Sequence, residues 1–394
     1  MQKLSLFYRN NVIAIGLLIL FLGYLGRGVE NSLLTLNLFL AINVSIYLIL
    51  QNSFKLELQK ASTTLIFVWA GMYLLWLIST QFNGVLSLGI VHWLVSFLSS
   101  SIVLMIVILQ NPDSLQASLR SKYLAFGLAI SLSYFVLSFL NCFGDKQCHP
   151  ATDISAMSIP IIFPFISLFL MQKPRWLISL NLLALVFLML IWFAESRTEV
   201  LMFIIMLGFL NALYLRIARY IVVIPFFILI TLYLYFAFER SFDPSGMDMF
   251  ALFNQVSSYR LEIWWHALAN LPQNIFIGSG IDNTNAYLPS YRFSDALHNA
   301  FLEILYETGL LGLLAFLTLN LIFMRRLIFV YKSECGSLRT QYIIFFSSYL
   351  AVLVAGFLDK GQMSFYYKYV IFLIGGSVFY IGEQLFLKNN DSLR

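Results

Sequence analysis

A histidine, two arginines and two short glycine motifs are the residues of this chain best fitted to chemistry, and all but the second glycine motif lie in or beside polar breaks between apolar runs. The most specific arrangement is His298-Asn299, nine residues, then Gly309, Leu310, Leu311 and Gly312. Imidazole in water titrates near about 6.5, so a histidine is the side chain suited to take a proton from a hydroxyl near neutral pH. His298 stands where a long polar connection meets an apolar run, which brings its ring to both water and a membrane-embedded substrate. A histidine at a helix start is more often structural, and His92 and His266 are read that way. Glu303 and Glu307 follow four residues apart on one helical face. Glu307 lies inside the apolar run, where a carboxylate needs a partner.

The arginines suit an anion. Arg197 sits in Glu195-Ser196-Arg197-Thr198-Glu199, between two apolar runs. Two readings stay open for it: a helix-end arginine snorkelling to the interface or paired with Glu195 or Glu199, and a fixed charge whose planar fork grips phosphate oxygens in pairs. Arg260 opens a stretch in which Leu261, Trp264, Trp265 and Leu268 recur at helical spacing, the pattern of an amphipathic helix lying in a membrane interface. Arg260 would there anchor to lipid phosphates or hold a substrate's. Gly278 and Gly280, around Ser279, allow a tight turn or close approach of the backbone to a bound phosphate. Asp359, Lys360 and Lys368 are read as an interface charge cluster.

The elements that must position these residues are membrane helices. Of 394 residues 60% are hydrophobic and 11% charged, against about 45–50% and about 25% in an average soluble domain. Apolar runs of spanning length fall near 11–26, 32–51, 61–80, 85–109, 123–141, 156–172, 177–194, 200–215, 220–238, 300–324, 341–358 and 369–387. In hydrocarbon each run must satisfy its own backbone, so the runs are helices, and the alternation of a β-barrel is absent. The expected fold is all-α: a polytopic integral membrane protein of about 12 transmembrane helices forming one domain over 1–394. The first run is read as a retained span, since no small-residue cleavage site follows it.

With the N-terminus inside, inner loops and tails hold sixteen of the 24 lysines and arginines, the bias of the positive-inside rule. Both termini are then cytoplasmic. The one long connection, 239–297 between spans nine and ten, lies outside, and long connections in a compact fold are usually functional. Trp264, Trp265, Tyr287 and Tyr291 within it suit interface anchors, with sugar stacking as the other reading. Cys142 and Cys148, six residues apart, also lie outside and would pair if that compartment is oxidising. Neither they nor Cys335 form a metal-binding spacing.

Taken in order, Ser196-Arg197 at an outer helix end, Arg260 before a tryptophan-bearing stretch, Gly278 and Gly280 beyond it, and His298-Asn299-x9-Gly309-x2-Gly312 opening the next helix resemble the O-antigen ligase and polymerase superfamily. The resemblance implies a metal-independent glycosyltransferase with no cofactor in the inner membrane of a bacterium, with a periplasmic active site. Its donor would be O-antigen glycan on undecaprenyl diphosphate. A ligase passes the glycan to a sugar of the lipid A core, a polymerase to another lipid-linked repeat unit, and the histidine element matches the ligase form. The implied catalytic residues are His298, Arg197 and Arg260, with Asn299, Gly278 and Gly280 binding substrate, and Gly309 and Gly312 letting the tenth span pack on a neighbour. The implied partners are the donor, the lipid A-core acceptor and membrane lipids, without nucleic acid. A lipid-linked oligosaccharide transporter is the reading from another class; it should carry charges or broken helices near the bilayer midplane.

Overall fold

The computed structural model describes residues 60–82, 97, 163–164, 166–167, 170, 176–193, 197–214, 254, 259–280, 297–327, 336–357 and 375–386. All regular structure among them is α-helical: α1 (Lys60–Phe82), α2 (Trp176–Phe193), α3 (Arg197–Tyr214), α4 (Arg260–Ala269), α5 (Ala300–Met324), α6 (Ser337–Ala355) and a further helical stretch at 375–386. The total number of spans, nearly all of the one expected at 85–109, those at 11–26, 32–51, 123–141 and 220–238, most of the 239–297 connection, both termini and all three cysteines lie outside the described residues.

Two helical stretches, Thr64–Gln81 and Ala300–Met324, are long and apolar enough to cross a membrane. The surfaces agree with that use. On α5, Leu310, Leu314, Leu317 and Leu321 form an exposed stripe while Phe316, Leu319, Asn320 and Phe323 are buried, and on α2 Ile178, Leu182 and Leu185 are exposed. Aliphatic groups outside and amides inside are what a lipid surround requires, since lipid tails are as apolar as leucine and polar groups must find partners within the bundle. Asn181 of α2 and Asn211 of α3 do so, exchanging amide hydrogen bonds of 3.1 and 3.0 Å while each also donates to its own helix. Asn320 accepts from the Tyr349 hydroxyl of α6 in the same way.

Helix pairs run antiparallel. α2 and α3 form a hairpin. Along α3 and α6, the Arg339 guanidinium donates to Leu213 O at 3.2 Å near one end, and the Ser348 hydroxyl donates to Met206 Sδ at 3.4 Å near the middle. Ser79, near the end of α1, donates to Glu307 O in the first third of α5. At the far end of α5, Glu383 binds Arg325 and Arg326 together, with closest approaches of 2.5 and 2.9 Å.

Two helices begin earlier than hydropathy suggests. α3 starts at Arg197 rather than 200, and α6 at Ser337 rather than 341. Polar first turns drop out of an apolar window, yet backbone hydrogen bonding does not distinguish them. Arg339 therefore sits within a helix and not in an inner loop. It is buried and holds a carbonyl at the C-terminal end of α3, where a cation is favoured.

Candidate active site

His298 is fixed by the start of α5. Asn299 is the N-cap, with φ −156° and ψ 110°, and its Oδ1 accepts from Phe301 N and Leu302 N, both at 3.0 Å. Its amide nitrogen donates to Phe357 O at 3.2 Å, and Ala300 N donates to Gly356 O at 2.8 Å. Phe301 stacks on Phe357 at 4.2 Å. The beginning of α5 is thus tied to the end of α6, and His298, half-buried, projects from that junction in the left-handed region at φ 47°. That conformation costs a non-glycine residue about 1–2 kcal/mol. Such strain persists only where the surroundings over-determine it, as the Asn299 cap does here.

Eleven residues beyond His298, α5 breaks. Gly309 has φ 67° and ψ −169°, a conformation open essentially to glycine alone. The break frees the Tyr306 and Glu307 carbonyls and the Leu310 and Leu311 N–H groups, and the loop after α4 takes all four. Ser279 N donates to Tyr306 O at 2.7 Å and Gly280 N to Glu307 O at 2.9 Å, while Leu310 N donates to Ile275 O at 2.8 Å and Leu311 N to Phe276 O at 3.3 Å. The Ser79 hydroxyl joins Gly280 on the Glu307 carbonyl. The approach leaves no room for side chains: a Cβ on Gly278 would lie 2.5 Å from Gly309 N, and one on Gly309 would lie 2.3 Å from Phe276 C and O.

This is a different use of the glycines from the one expected. The amides that a phosphate would have met are committed to protein, Gly278 N to Asn274 O at 2.8 Å and Gly280 N to Glu307 O. Both polar atoms of the Asn299 side chain are likewise engaged with backbone. Gly309 meets a loop and not a neighbouring helix, and Gly312 makes room for Thr308 of its own helix, whose Oγ1 a Cβ there would approach to 1.9 Å. The reason is the break itself: four stranded backbone groups in an apolar setting cost more than any gain from leaving the loop open.

α4 carries Arg260 as its first residue, directly after Tyr259, the only other described non-glycine residue with positive φ, at 64°. Asn254 supports this start: its side chain accepts from Glu262 N at 3.0 Å and donates to the Glu262 carboxylate at 2.8 Å. Ile263 and Ala267 pack on Leu297 and Tyr306, while Trp265 and Leu268 face outward, so the face expected to be uniformly apolar divides between protein and surroundings. Trp264 Nε1 donates to Leu297 O at 2.9 Å. Arg260 lies one turn from Trp264, and Leu297 precedes His298, so this hydrogen bond links the two segments that carry the candidate site residues.

For Arg197 the backbone alone supplies a position. The pairs Leu213 with Arg339 and Met206 with Ser348 set an antiparallel register that brings the first residue of α3 level with Gly356 at the end of α6. Gly356 bonds Ala300, so the start of α3 and His298 share one end of the bundle, the end opposite Arg325 and Arg326. Tyr306, Ser79 and Asn254 were not singled out from sequence; a tyrosine within an apolar run was the available signal for the first.

Among curated proteins no relative matches the chain. Residues 182–317 match the family model described as O-Antigen ligase, a stretch that contains Arg197, Arg260, Gly278, Gly280, His298, Asn299, Gly309 and Gly312. The family read from the order of these motifs is therefore supported independently: over residues 182–317 the chain matches the O-antigen ligase family, within the O-antigen ligase and polymerase superfamily.

Proposed function

We propose that this protein is a membrane glycosyltransferase that moves O-antigen glycan from undecaprenyl diphosphate to a sugar of the lipid A core, at the periplasmic face of a bacterial inner membrane. The observation that carries the reading is the connection of Arg260 and His298 through the Trp264–Leu297 hydrogen bond, with the start of α3 at the same end of the bundle. Arg197 and Arg260 hold the diphosphate. The acceptor oxygen forms a bond to the anomeric carbon, the bond from that carbon to the phosphate oxygen breaks, and undecaprenyl diphosphate departs. Charge grows on the leaving group as that bond breaks, and guanidinium groups fixed beforehand lower the barrier. His298 takes the acceptor's hydroxyl proton and later releases it to water. Asn299, Gly278 and Gly280 act by holding His298 and the loop in place. No metal is required where two arginines neutralise the diphosphate.

A polymerase differs only in the acceptor, a second lipid-linked repeat. The transporter reading gains a broken helix in α5, but the four groups freed at Gly309 all bond to the adjoining loop, which leaves no backbone cage for an ion. The test is in vitro transfer with the purified protein, donor lipid and either acceptor, with and without a chelator. Product on lipid A core that survives chelation and vanishes in His298→Ala supports the ligase. Lengthened lipid-linked glycan alone makes it a polymerase, and no product with either acceptor overturns the enzyme reading.

A further inference from the structure

α4 is pinned to α5 at two points by polar side chains. At the first, Trp264 Nε1 donates to Leu297 O, the residue before His298. At the second, the hydroxyl of Tyr306 points between the Ala267 and Asn270 carbonyls, 2.5 Å from each, at the end of α4 away from Arg260. Two attachments along a ten-residue helix fix both its position and its rotation. Tyr306 is fully buried against Ile263, Ala267 and Leu297. A phenylalanine would supply nearly the same apolar contact there, so what the hydroxyl adds is direction.

Resting on the glycosyl-transfer reading of this site, the geometry points to Trp264 and Tyr306 as positioning residues that hold Arg260 at a set distance and orientation from His298. Each acts through another residue: Tyr306 is closed off from solvent, and the indole N–H of Trp264 is spent on Leu297. Their effect is to present the diphosphate-binding charge and the proton acceptor to one donor and acceptor pair. A misplacement of about 1 Å in such a pair costs on the order of 100-fold in rate.

The test uses the full chain in lipid nanodiscs, with Tyr306→Phe and Trp264→Phe each made alone and combined with Arg260→Ala. The readouts are kcat and KM for the donor, calorimetric binding of the undecaprenyl-diphosphate-linked glycan donor, and the thermal midpoint. Each single variant should lose about 10- to 100-fold in kcat/KM, with the protein still folded by its thermal midpoint. Donor binding should weaken in parallel. In the Arg260→Ala background both penalties should vanish, because an absent arginine cannot be misplaced. A penalty that persists unchanged in that background marks a merely structural role and overturns the proposal, as do single variants with unaltered kinetics and binding. If the unaltered protein binds donor but transfers nothing, the functional reading fails while the binding cycle still decides the placement; if it binds no donor, both fall.

Discussion

Replacing Gly309 by alanine should remove activity from a histidine eleven residues away in sequence. The glycine holds φ 67° and ψ −169°, and a side chain in that region costs about 1–3 kcal/mol. Its Cβ would also lie 2.3 Å from Phe276 C and O, closer than any relaxation short of moving the loop would relieve. The alternative open to the variant is a continuous helix. Leu310 N and Leu311 N would then return to the Tyr306 and Glu307 carbonyls, and four bonds between loop and helix would be exchanged for two within the helix. At about 1 kcal/mol per net hydrogen bond, that exchange loses about 2 kcal/mol, so the variant should be less stable by about 2–4 kcal/mol by either route. Straightening also moves the site. The nine residues from Ala300 to Thr308 form a lever of about 13 Å, so a change of about 20° at the break swings its end by about 4–5 Å. Transfer should therefore fall by at least about 100-fold even at temperatures where the protein remains folded. The assay is glycan transfer beside a thermal melt in the same detergent. A Gly309→Ala protein with the unaltered midpoint and rate would refute the argument that the break places His298.

His298→Gly should abolish transfer yet be more stable than His298→Ala by about 1 kcal/mol, because only glycine adopts the left-handed φ without cost; equal melting midpoints would count against strain at this residue. Asn299→Ala should cost about 1–2 kcal/mol through loss of the cap and of the bond to Phe357, whereas Asn299→Asp keeps the capping oxygen and should lose less, as denaturation midpoints will show. Glu383→Gln should destabilise by about 1–2 kcal/mol, since two partly exposed guanidinium groups lose their shared carboxylate. Its folded fraction should keep full transfer activity, as this cluster lies at the opposite end of α5 from His298; a kinetic loss without a stability loss would contradict that separation.

The sequence by itself determined where the described helices fall in the chain. Apolar runs in a chain with 11% charged residues have nowhere to satisfy their backbone except within themselves, and the expected spans at 61–80, 177–194 and 300–324 coincide closely with α1, α2 and α5. It also marked the residue types that suit diphosphate chemistry, because an arginine or a histidine at the border of an apolar run is costly enough to stand out. Only the tertiary structure decided what the glycines do. In the sequence Gly278 and Gly280 promise an open backbone, and Gly309 and Gly312 promise helix packing; in three dimensions Gly278 and Gly309 face each other across a broken helix whose stranded groups had to be matched by a segment some thirty residues earlier in the chain. No local pattern encodes such a match, since hydrogen bonds between backbone groups carry no side-chain signature. The same holds for Tyr306, whose hydroxyl reads as one more polar atom in an apolar run until the carbonyls at the end of α4 are seen around it. Which residues are candidates for the site was legible from cost; how His298, Arg260 and the glycines are held depended on contacts between segments far apart in the chain.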